Sequence, residues 1–183
     1  MLKGIIFDLD GTLVNSHYDW KLIRTKIGVG NIPILSYING LNGTLKKRAL
    51  RILESFEKTA TKNAELNKGV PSLLSYLSKK GIRRAIVTNN SRKNVKYLLR
   101  KWDLVFDTIV TRDDGIWKPS GKPLELALER LGLRTEEIVF VGDSNPDRIA
   151  AEAADIRFIS INDAAGIEAI YSFIEDDNHL MTL

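Results

Sequence analysis

The chain has 183 residues, of which 44% are hydrophobic and 27% charged, enough for one globular core with a small insertion. It contains no cysteine, which excludes a disulfide framework and a thiolate metal site, and no apolar run approaches the roughly 18–20 residues of a membrane span. The net charge of +4 does not predict nucleic-acid binding, because basic and acidic residues alternate, as in KKRALRILESFEK, in the manner of a solvated helix face. We therefore expect a cytoplasmic protein without a nucleic-acid or membrane partner, and the N-terminus MLKGIIFDLDG does not resemble a signal peptide.

Short apolar runs predict five buried strands with helical patterns between them. The predicted strands are residues 2–7, Arg84–Thr88, Thr108–Val110, Ile138–Val141 and Arg157–Ile161. The helical patterns are the face formed by Leu73, Leu74 and Leu77 before Gly81, and the segments Ser91–Lys101, Pro123–Leu131 and Asp147–Ala154. Strands that alternate with amphipathic helices predict an α/β fold, a doubly wound parallel sheet with helices on both faces.

One stretch after the first strand breaks this alternation. Residues 15–68 contain no convincing strand, but they contain two helical patterns, Asp19–Ile27 and Thr44–Asn63, separated by glycines and a proline that we interpret as breaks. We predict a core formed by residues 1–14 and 69–183, and a small helical domain formed by residues 15–68. The tail Asp176–Leu183 is predicted to be frayed, with His179 an ordinary exposed residue.

Two carboxylates follow the first predicted strand, in the sequence Asp8-Leu9-Asp10-Gly11-Thr12. Ligands of open parallel sheets bind outside the carboxyl ends of the strands, so both side chains are candidates for one site. Paired carboxylates repel each other unless a cation lies between them or one holds a proton, and both arrangements suit catalysis. The structural alternative is a polar exit from the strand, since Asp and Gly are common in turns.

The second strand is followed by Thr88 and Asn89, a hydroxyl and backbone N–H groups just before a helix, which suits a phosphate. The alternative is that Asn89-Asn90-Ser91 caps that helix. Lys118 lies in the later loop Trp117-Lys118-Pro119-Ser120-Gly121-Lys122-Pro123, where it could neutralise a phosphate or be an ordinary surface lysine.

Two further carboxylates, Asp143 and Asp147, follow the fourth strand. Oxygen ligands of this kind favour a hard cation, with Mg²⁺ as the default. Helix capping is the alternative; it explains Asp147 well and Asp143 poorly.

Together the four motifs resemble the haloacid dehalogenase-like (HAD) hydrolase superfamily. They are D-x-D-G-T after strand one, Thr after strand two, a K-P loop, and G-D-x-x-x-D after strand four, in the family's order and across essentially the whole chain. The insertion after the first motif resembles that family's helical cap, here a small one, and phosphoglycolate-type phosphatases are the nearest look-alikes. The resemblance implies a Rossmann-like core and a Mg²⁺-dependent phosphatase that hydrolyses phosphate monoesters of small metabolites.

The resemblance also implies a role for each catalytic position. Asp8 would attack phosphorus to give an aspartyl-phosphate and would also be a metal ligand. Asp10 would protonate the leaving oxygen and then activate water, while its backbone carbonyl binds the metal. Lys118 would offset the charge of Asp8 and of the phosphate.

The remaining implied roles are binding roles. Thr88 and the N–H of Asn89 would hold phosphate oxygens together with Lys118, Asp143 would bind Mg²⁺, and Asp147 would support the metal directly or through a ligand.

Two departures from the family pattern leave alternatives open. Gly121 stands where a second proline often follows the motif lysine, so Lys122 remains a possible substitute for Lys118. The insertion is short for a helical cap, which weakens the expectation of tight substrate selectivity. Four of its residues are candidates either for contact with the leaving group or for the core of the insertion: His17, Tyr18, Trp20 and Arg24.

The same residues allow comparison with three other functions. A sugar-phosphate mutase shares the core but needs a cap that excludes water. A receiver-type signalling module places its phosphorylated aspartate after strand three, whereas the D-x-D motif here follows strand one. A catalytically idle scaffold is not indicated, because every catalytic residue type is present. Neither the physiological substrate nor the oligomeric state is predicted.

Overall fold

The computed structural model describes residues 1–161 and 166–179, the last two of these without their side chains. Its strands are β1 (Gly4–Phe7), β2 (Val14–Asn15), β3 (Glu65–Leu66), β4 (Arg83–Val87), β5 (Thr108–Val110), β6 (Ile138–Gly142) and β7 (Arg157–Ser160). Its helices are α1 (Trp20–Ile27), α2 (Ile34–Gly40), α3 (Gly43–Asn63), α4 (Val70–Lys79), α5 (Arg92–Lys101), α6 (Lys122–Leu131), α7 (Asn145–Ala153) and α8 (Glu168–His179).

Five strands form a parallel sheet in the order β5-β4-β1-β6-β7, and β2 and β3 form a separate two-stranded sheet. In the central register, Ile6 lies opposite Ala85 on one side and Phe140 on the other, and all three are fully buried. Helices flank the sheet, so its central strands are covered on both faces and read as unbroken apolar runs. The predicted doubly wound α/β fold is confirmed.

The central order also fixes where the candidate site lies. Because β4, β1 and β6 are neighbours and run in the same direction, the residues that follow them meet at one edge of the sheet. These are Thr88, Asp8 and Asp143 respectively.

Residues 1–15 with 66–183 form one compact unit, and residues 16–65 form a second. The second unit is a set of three helices packed around an apolar cluster: Ile23, Val29, Ile34, Ile38, Ala49 and Leu53. Asp19 caps the start of α1, where its carboxylate accepts a hydrogen bond from Leu22 N at 2.9 Å. Gly28 caps the end of α1 in the left-handed conformation that glycine adopts readily. Among the described helices, none combines the length and apolar character needed to cross a membrane.

Two expectations about helices were wrong. The sequence predicts two helices in the insertion, but α2 also forms, between Pro33 and Gly40, which we had interpreted as breaks. Proline is compatible with the start of a helix and glycine with its end, so these residues bound α2 rather than prevent it.

The prediction of a frayed tail from Asp176 onwards was the second error. Helix α8 continues through His179 instead of fraying from Asp176, because Asp177 accepts a hydrogen bond from Leu2 N at 2.6 Å and forms a 3.1 Å ion pair with Arg157. The predicted exposure of the His179 side chain, and the predicted fraying of residues 180–183, lie outside the described residues.

Candidate active site

Asp8 lies directly after β1 and is buried, whereas Asp10 is half-buried. The backbone N–H of Asp8 donates to Val141 O at 2.9 Å, which continues the ladder between β1 and β6 by one residue. A tight turn follows, in which Leu9 O accepts hydrogen bonds from the N–H groups of Leu13 (2.9 Å) and Val14 (3.0 Å). The strand and the turn together hold both carboxylates at the carboxyl edge of the sheet.

Lys118 is the cation of this site. Its side chain is only 3% exposed, and its Nζ lies 2.6 Å from Asp8 Oδ1 and 2.6 Å from Asp147 Oδ1. The ammonium also lies 5.5 Å from the centre of the Phe140 ring. Lys122, the alternative lysine, is exposed at the first position of α6. The geometry therefore favours Lys118 as the charge-neutralising group.

The titration behaviour of the pair follows from burial and charge. Burial raises the pKa of Asp8 well above its usual range, Lys118 opposes that rise, and Asp147 adds to it. Burial alone would lower the pKa of Lys118, but the carboxylates of Asp8 and Asp147 outweigh it and raise the pKa above its ordinary value. Lys118 is therefore a permanent cation at neutral pH.

Three carboxylates converge beside this lysine. Oxygen atoms of Asp8, Asp143 and Asp147 lie within 4.8 Å of one another. Burial raises the pKa of Asp143, and the neighbouring charge of Asp147 raises it further. An all-oxygen donor set of this density fits a hard divalent cation such as Mg²⁺.

Asp147 caps α7, which is one of the two roles that the sequence offered for it, and it also contacts Lys118. It is completely buried, and its Oδ2 accepts hydrogen bonds from the N–H and hydroxyl of Ser144, which caps α7. Its Oδ1 faces Lys118. This cap also explains why α7 begins at Asn145, two residues before the predicted start.

Two glycines are required by the close approach of these carboxylates. At Gly11, where φ is +92°, a Cβ atom would lie 2.1 Å from Asp143 Oδ2. At Gly142, a Cβ atom would lie 2.7 Å from Asp147 Cβ. Any larger residue at either position would push an acidic side chain out of the cluster.

Asn89 has a contact that the sequence did not predict. Its side-chain Nδ2 donates to Lys118 O at 3.0 Å, and its Oδ1 accepts from Lys118 N at 2.8 Å. This two-point contact fixes the main chain that carries the lysine. The sequence suggested the backbone N–H of Asn89 as a phosphate ligand, or Asn89 as part of the cap of α5, but not this side-chain contact.

Thr88 and Asn90 form the rest of this turn, and both are buried. Thr88 Oγ1 accepts a hydrogen bond from Asn90 N at 3.1 Å, and Asn90 Nδ2 donates to Asp10 Oδ2 at 2.9 Å. The contact between Asn90 and Asp10 was also missed, because an asparagine before a helix is a common capping residue and carries no sign of a partner 80 positions away. Thr12, whose hydroxyl lies 3.5 Å from Asp143 Oδ1, is part of the D-x-D-G-T motif and could have been found from it.

The structure shows local contacts for three of the four candidates in the helical unit, Tyr18, Trp20 and Arg24. Tyr18 and Trp20 stack on each other with ring centres 4.6 Å apart, and Trp20 remains 49% exposed. Arg24 donates to the backbone carbonyls of Gly30 and Ile32 within the same unit. His17 adopts a positive φ of 48°. No described contact of these residues decides whether they bind a substrate.

Comparison with known proteins gives a consistent result. Residues 17–161 match the family model described as haloacid dehalogenase-like hydrolase, a range that includes Thr88, Lys118, Asp143 and Asp147 and begins after Asp10. Phosphoglycolate phosphatase from Pectobacterium atrosepticum is 32% identical, over 87% of this chain and 80% of that protein.

Solved structures agree with these sequence matches. A HAD-superfamily hydrolase from Ehrlichia chaffeensis is 26% identical with a TM-score of 0.65, covering 96% of this chain and 97% of that one. A predicted phosphoglycolate phosphatase from Haemophilus somnus is also 26% identical, with a TM-score of 0.68, covering 87% of this chain and 84% of that one.

Proposed function

Since this chain belongs to the haloacid dehalogenase-like hydrolases, we propose that it is a Mg²⁺-dependent phosphatase of small phosphorylated metabolites that works through an aspartyl-phosphate. The family and its phosphoglycolate phosphatase members make the chain a hydrolase of the phosphatase type. Dependence on Mg²⁺, the substrate class and the individual residue roles are the parts that we propose.

One observation carries the proposal: a buried nucleophile candidate lies beside a fixed cation and two further carboxylates. Asp8 is 2.6 Å from Lys118 Nζ and shares a cluster with Asp143 and Asp147. Three carboxylates and one lysine leave an excess of negative charge in a buried place. A divalent cation removes that excess, and it makes the edge of the sheet attractive to a phosphate dianion.

Asp8, Asp143 and the backbone carbonyl of Asp10 are the groups that would hold Mg²⁺, with Asp147 supporting them. When bound, the cation neutralises charge on the phosphate oxygens during transfer.

The reaction that these side chains can perform has two displacements. An Asp8 carboxylate oxygen attacks phosphorus, the bond to the ester oxygen breaks, and Asp10 gives its proton to the departing alcohol. Asp10 then takes a proton from water, whose oxygen attacks the phosphorus of the aspartyl-phosphate, and Asp8 leaves as a carboxylate. Inorganic phosphate is released, and both aspartates return to their starting states.

The other residues bind and orient the phosphate. Thr88 and the N–H of Asn89 would hold its oxygens, and Lys118 would compensate the charge of Asp8 and of the transferring group. The contact of Asn89 with the main chain of Lys118 keeps the lysine in place while it does so.

The substrate class follows from the family members. We propose a small phosphate monoester of the cytoplasm, since the matched relatives include phosphoglycolate phosphatases, and no nucleic-acid or membrane partner. We also propose that the helical domain predicted at residues 15–68 serves as the family's cap and contributes to selectivity.

The decisive experiment is a panel of phosphorylated metabolites, with release of inorganic phosphate as the readout. Each substrate is assayed with Mg²⁺, with EDTA after exhaustive dialysis, and with Ca²⁺, while a phosphodiester serves as the control for bond type. We expect hydrolysis of monoesters only, dependence on Mg²⁺, and suppression by Ca²⁺, because calcium prefers more ligands at longer distances. Full activity in EDTA contradicts the metal assignment, and no monoester hydrolysis under any condition contradicts the function.

A further inference from the structure

A buried asparagine connects the start of α5 to Asp10. Asn90 is only 4% exposed, and its Nδ2 donates a hydrogen bond to Asp10 Oδ2 at 2.9 Å. Its Oδ1 accepts two hydrogen bonds, from Ser91 N at 2.8 Å and from Asn94 Nδ2 at 2.9 Å. The amide therefore links two residues of the α5 region to one carboxylate of the turn after β1.

This network fixes which way the amide of Asn90 points. A flipped amide would turn its NH₂ group towards the backbone N–H of Ser91 and its oxygen towards the Asp10 carboxylate, so both of these contacts would become repulsive. The observed orientation satisfies both of them. The donor facing Asp10 is thus determined by the surrounding hydrogen bonds and not only by the position of the side chain.

We propose that Asn90 is a positioning residue for Asp10, an inference that rests on the proposed function in which Asp10 is the general acid and base. Asn90 holds the Oδ2 end of the Asp10 carboxyl group. Asp10 is half-buried and lies on a turn, and this hydrogen bond restricts the directions that its side chain can take while it exchanges protons with the leaving group and with water. A misplacement of about 1 Å costs a reaction roughly 10²-fold in rate.

The alternative is that Asn90 merely stabilises the start of α5. The two roles differ in what they do to different leaving groups. A nitrophenolate departs readily without a proton, whereas an alkoxide depends on the general acid. Loss of a purely structural residue lowers activity by the same factor for both kinds of ester, but loss of a positioning residue for Asp10 mainly affects the alkyl ester.

The test compares kcat/KM of the full-length protein with Mg²⁺ for 4-nitrophenyl phosphate and for the best alkyl phosphate of the panel. Asn90→Ala removes the anchor. Ser91→Ala is the matched control, because it removes the Ser91 Oγ contact with Asn94 N that caps α5 and leaves the bond to Asp10 intact. The same Asn90 substitution is then made in an Asp10→Ala background.

We expect Asn90→Ala to lose about 10²-fold in kcat/KM on the alkyl ester and less than about tenfold on the nitrophenyl ester. Ser91→Ala should change both by one common factor. In the Asp10→Ala background the further loss on removing Asn90 should vanish, because the residue acts through Asp10. If Asn90→Ala fails to fold, Asn90→Ser serves instead, since it keeps a polar side chain at the start of α5 that is shorter than the amide bonded to Asp10.

Three results overturn the inference, and the third is distinguishable from the other two. Equal losses on both esters, or an undiminished loss in the Asp10→Ala background, refute the positioning role and leave the phosphatase assignment standing. A wild-type protein that hydrolyses no phosphate monoester refutes the proposed function and this inference together.

Discussion

Replacing Lys118 by methionine isolates the charge of the buried lysine, because methionine fills most of the same space without an ammonium group. In the metal-free protein this substitution leaves Asp8 and Asp147 without their common cation, which lies 2.6 Å from each. The perturbation is therefore electrostatic far more than steric.

The expected loss of stability follows from these distances. At 2.6 Å, each pair attracts by about 6 kcal/mol if the effective dielectric constant is about 20, before the cost of burying the charges is counted. Desolvation offsets much of this attraction, and removing one partner of a buried ion pair costs about 3–5 kcal/mol of stability. We expect the free energy of unfolding of Lys118→Met, measured with urea in EDTA, to be lower than that of wild type by an amount in that range.

Magnesium should recover part of that loss. The uncompensated carboxylates bind the cation, and binding to the folded state alone stabilises it by mass action. Activity should not recover, since a charge-neutralising donor in such a site contributes roughly 10²–10³ in rate.

The assay is urea unfolding in EDTA and in Mg²⁺, together with phosphate release, for Lys118→Met and for the exposed control Lys122→Met. The control should stay within about 0.5 kcal/mol of wild type, as surface substitutions do. If Lys118→Met in EDTA is as stable as the control, or if Lys122→Met is the inactive variant, the reasoning is refuted.

Two other predictions concern the glycine turn and the acid sensitivity of the fold. Gly11→Ala should lower the Mg²⁺ affinity measured by calorimetry far more than the control Gly115→Ala does. Both glycines have a positive φ (+92° and +81°), but only at Gly11 would the new Cβ atom meet Asp143. Equal losses of affinity in the two variants would trace the effect to backbone strain alone. Hydrogen bonds from Lys3 and Arg134, above all the one from Lys3, lower the pKa of Glu137 from its usual 4.5 to about 2. A group whose pKa is lowered by folding stabilises the protein at pH values above its pKa in the unfolded chain, and this stabilisation is lost as the pH falls. The difference in the free energy of unfolding between wild type and Glu137→Gln, measured in urea, should therefore shrink from pH 4.5 towards pH 2. A constant difference would contradict this account.

The sheet and the acidic cluster were predictable for one physical reason. A strand buried on both faces must be apolar throughout, so polar residues appear abruptly where it ends, as at Asp8 and Asp143. The carboxyl ends of parallel strands share one edge, which brings together residues far apart in sequence. Lys118 joins them from a loop, and only its position before α6 and the family pattern distinguished it from Lys122.

Asn89 and Asn90 show what sequence alone could not supply. The capping of a helix, the support of a lysine loop and the anchoring of a catalytic carboxylate all use the same short amide side chain. Which contact forms depends on tertiary distances that no local pattern encodes. Helix α2 was missed for a related reason, because Pro33 and Gly40 occur both in irregular breaks and at the ends of helices.

Phosphate release by Asp8→Asn, measured beside wild type at saturating Mg²⁺ on the best monoester of the panel, tests the central claim most directly. An amide of the same size keeps the packing of the strand end but cannot attack phosphorus, so we expect a folded protein without turnover. Retention of more than about a tenth of wild-type kcat, a loss below about 1.4 kcal/mol in the barrier, would contradict covalent catalysis by Asp8.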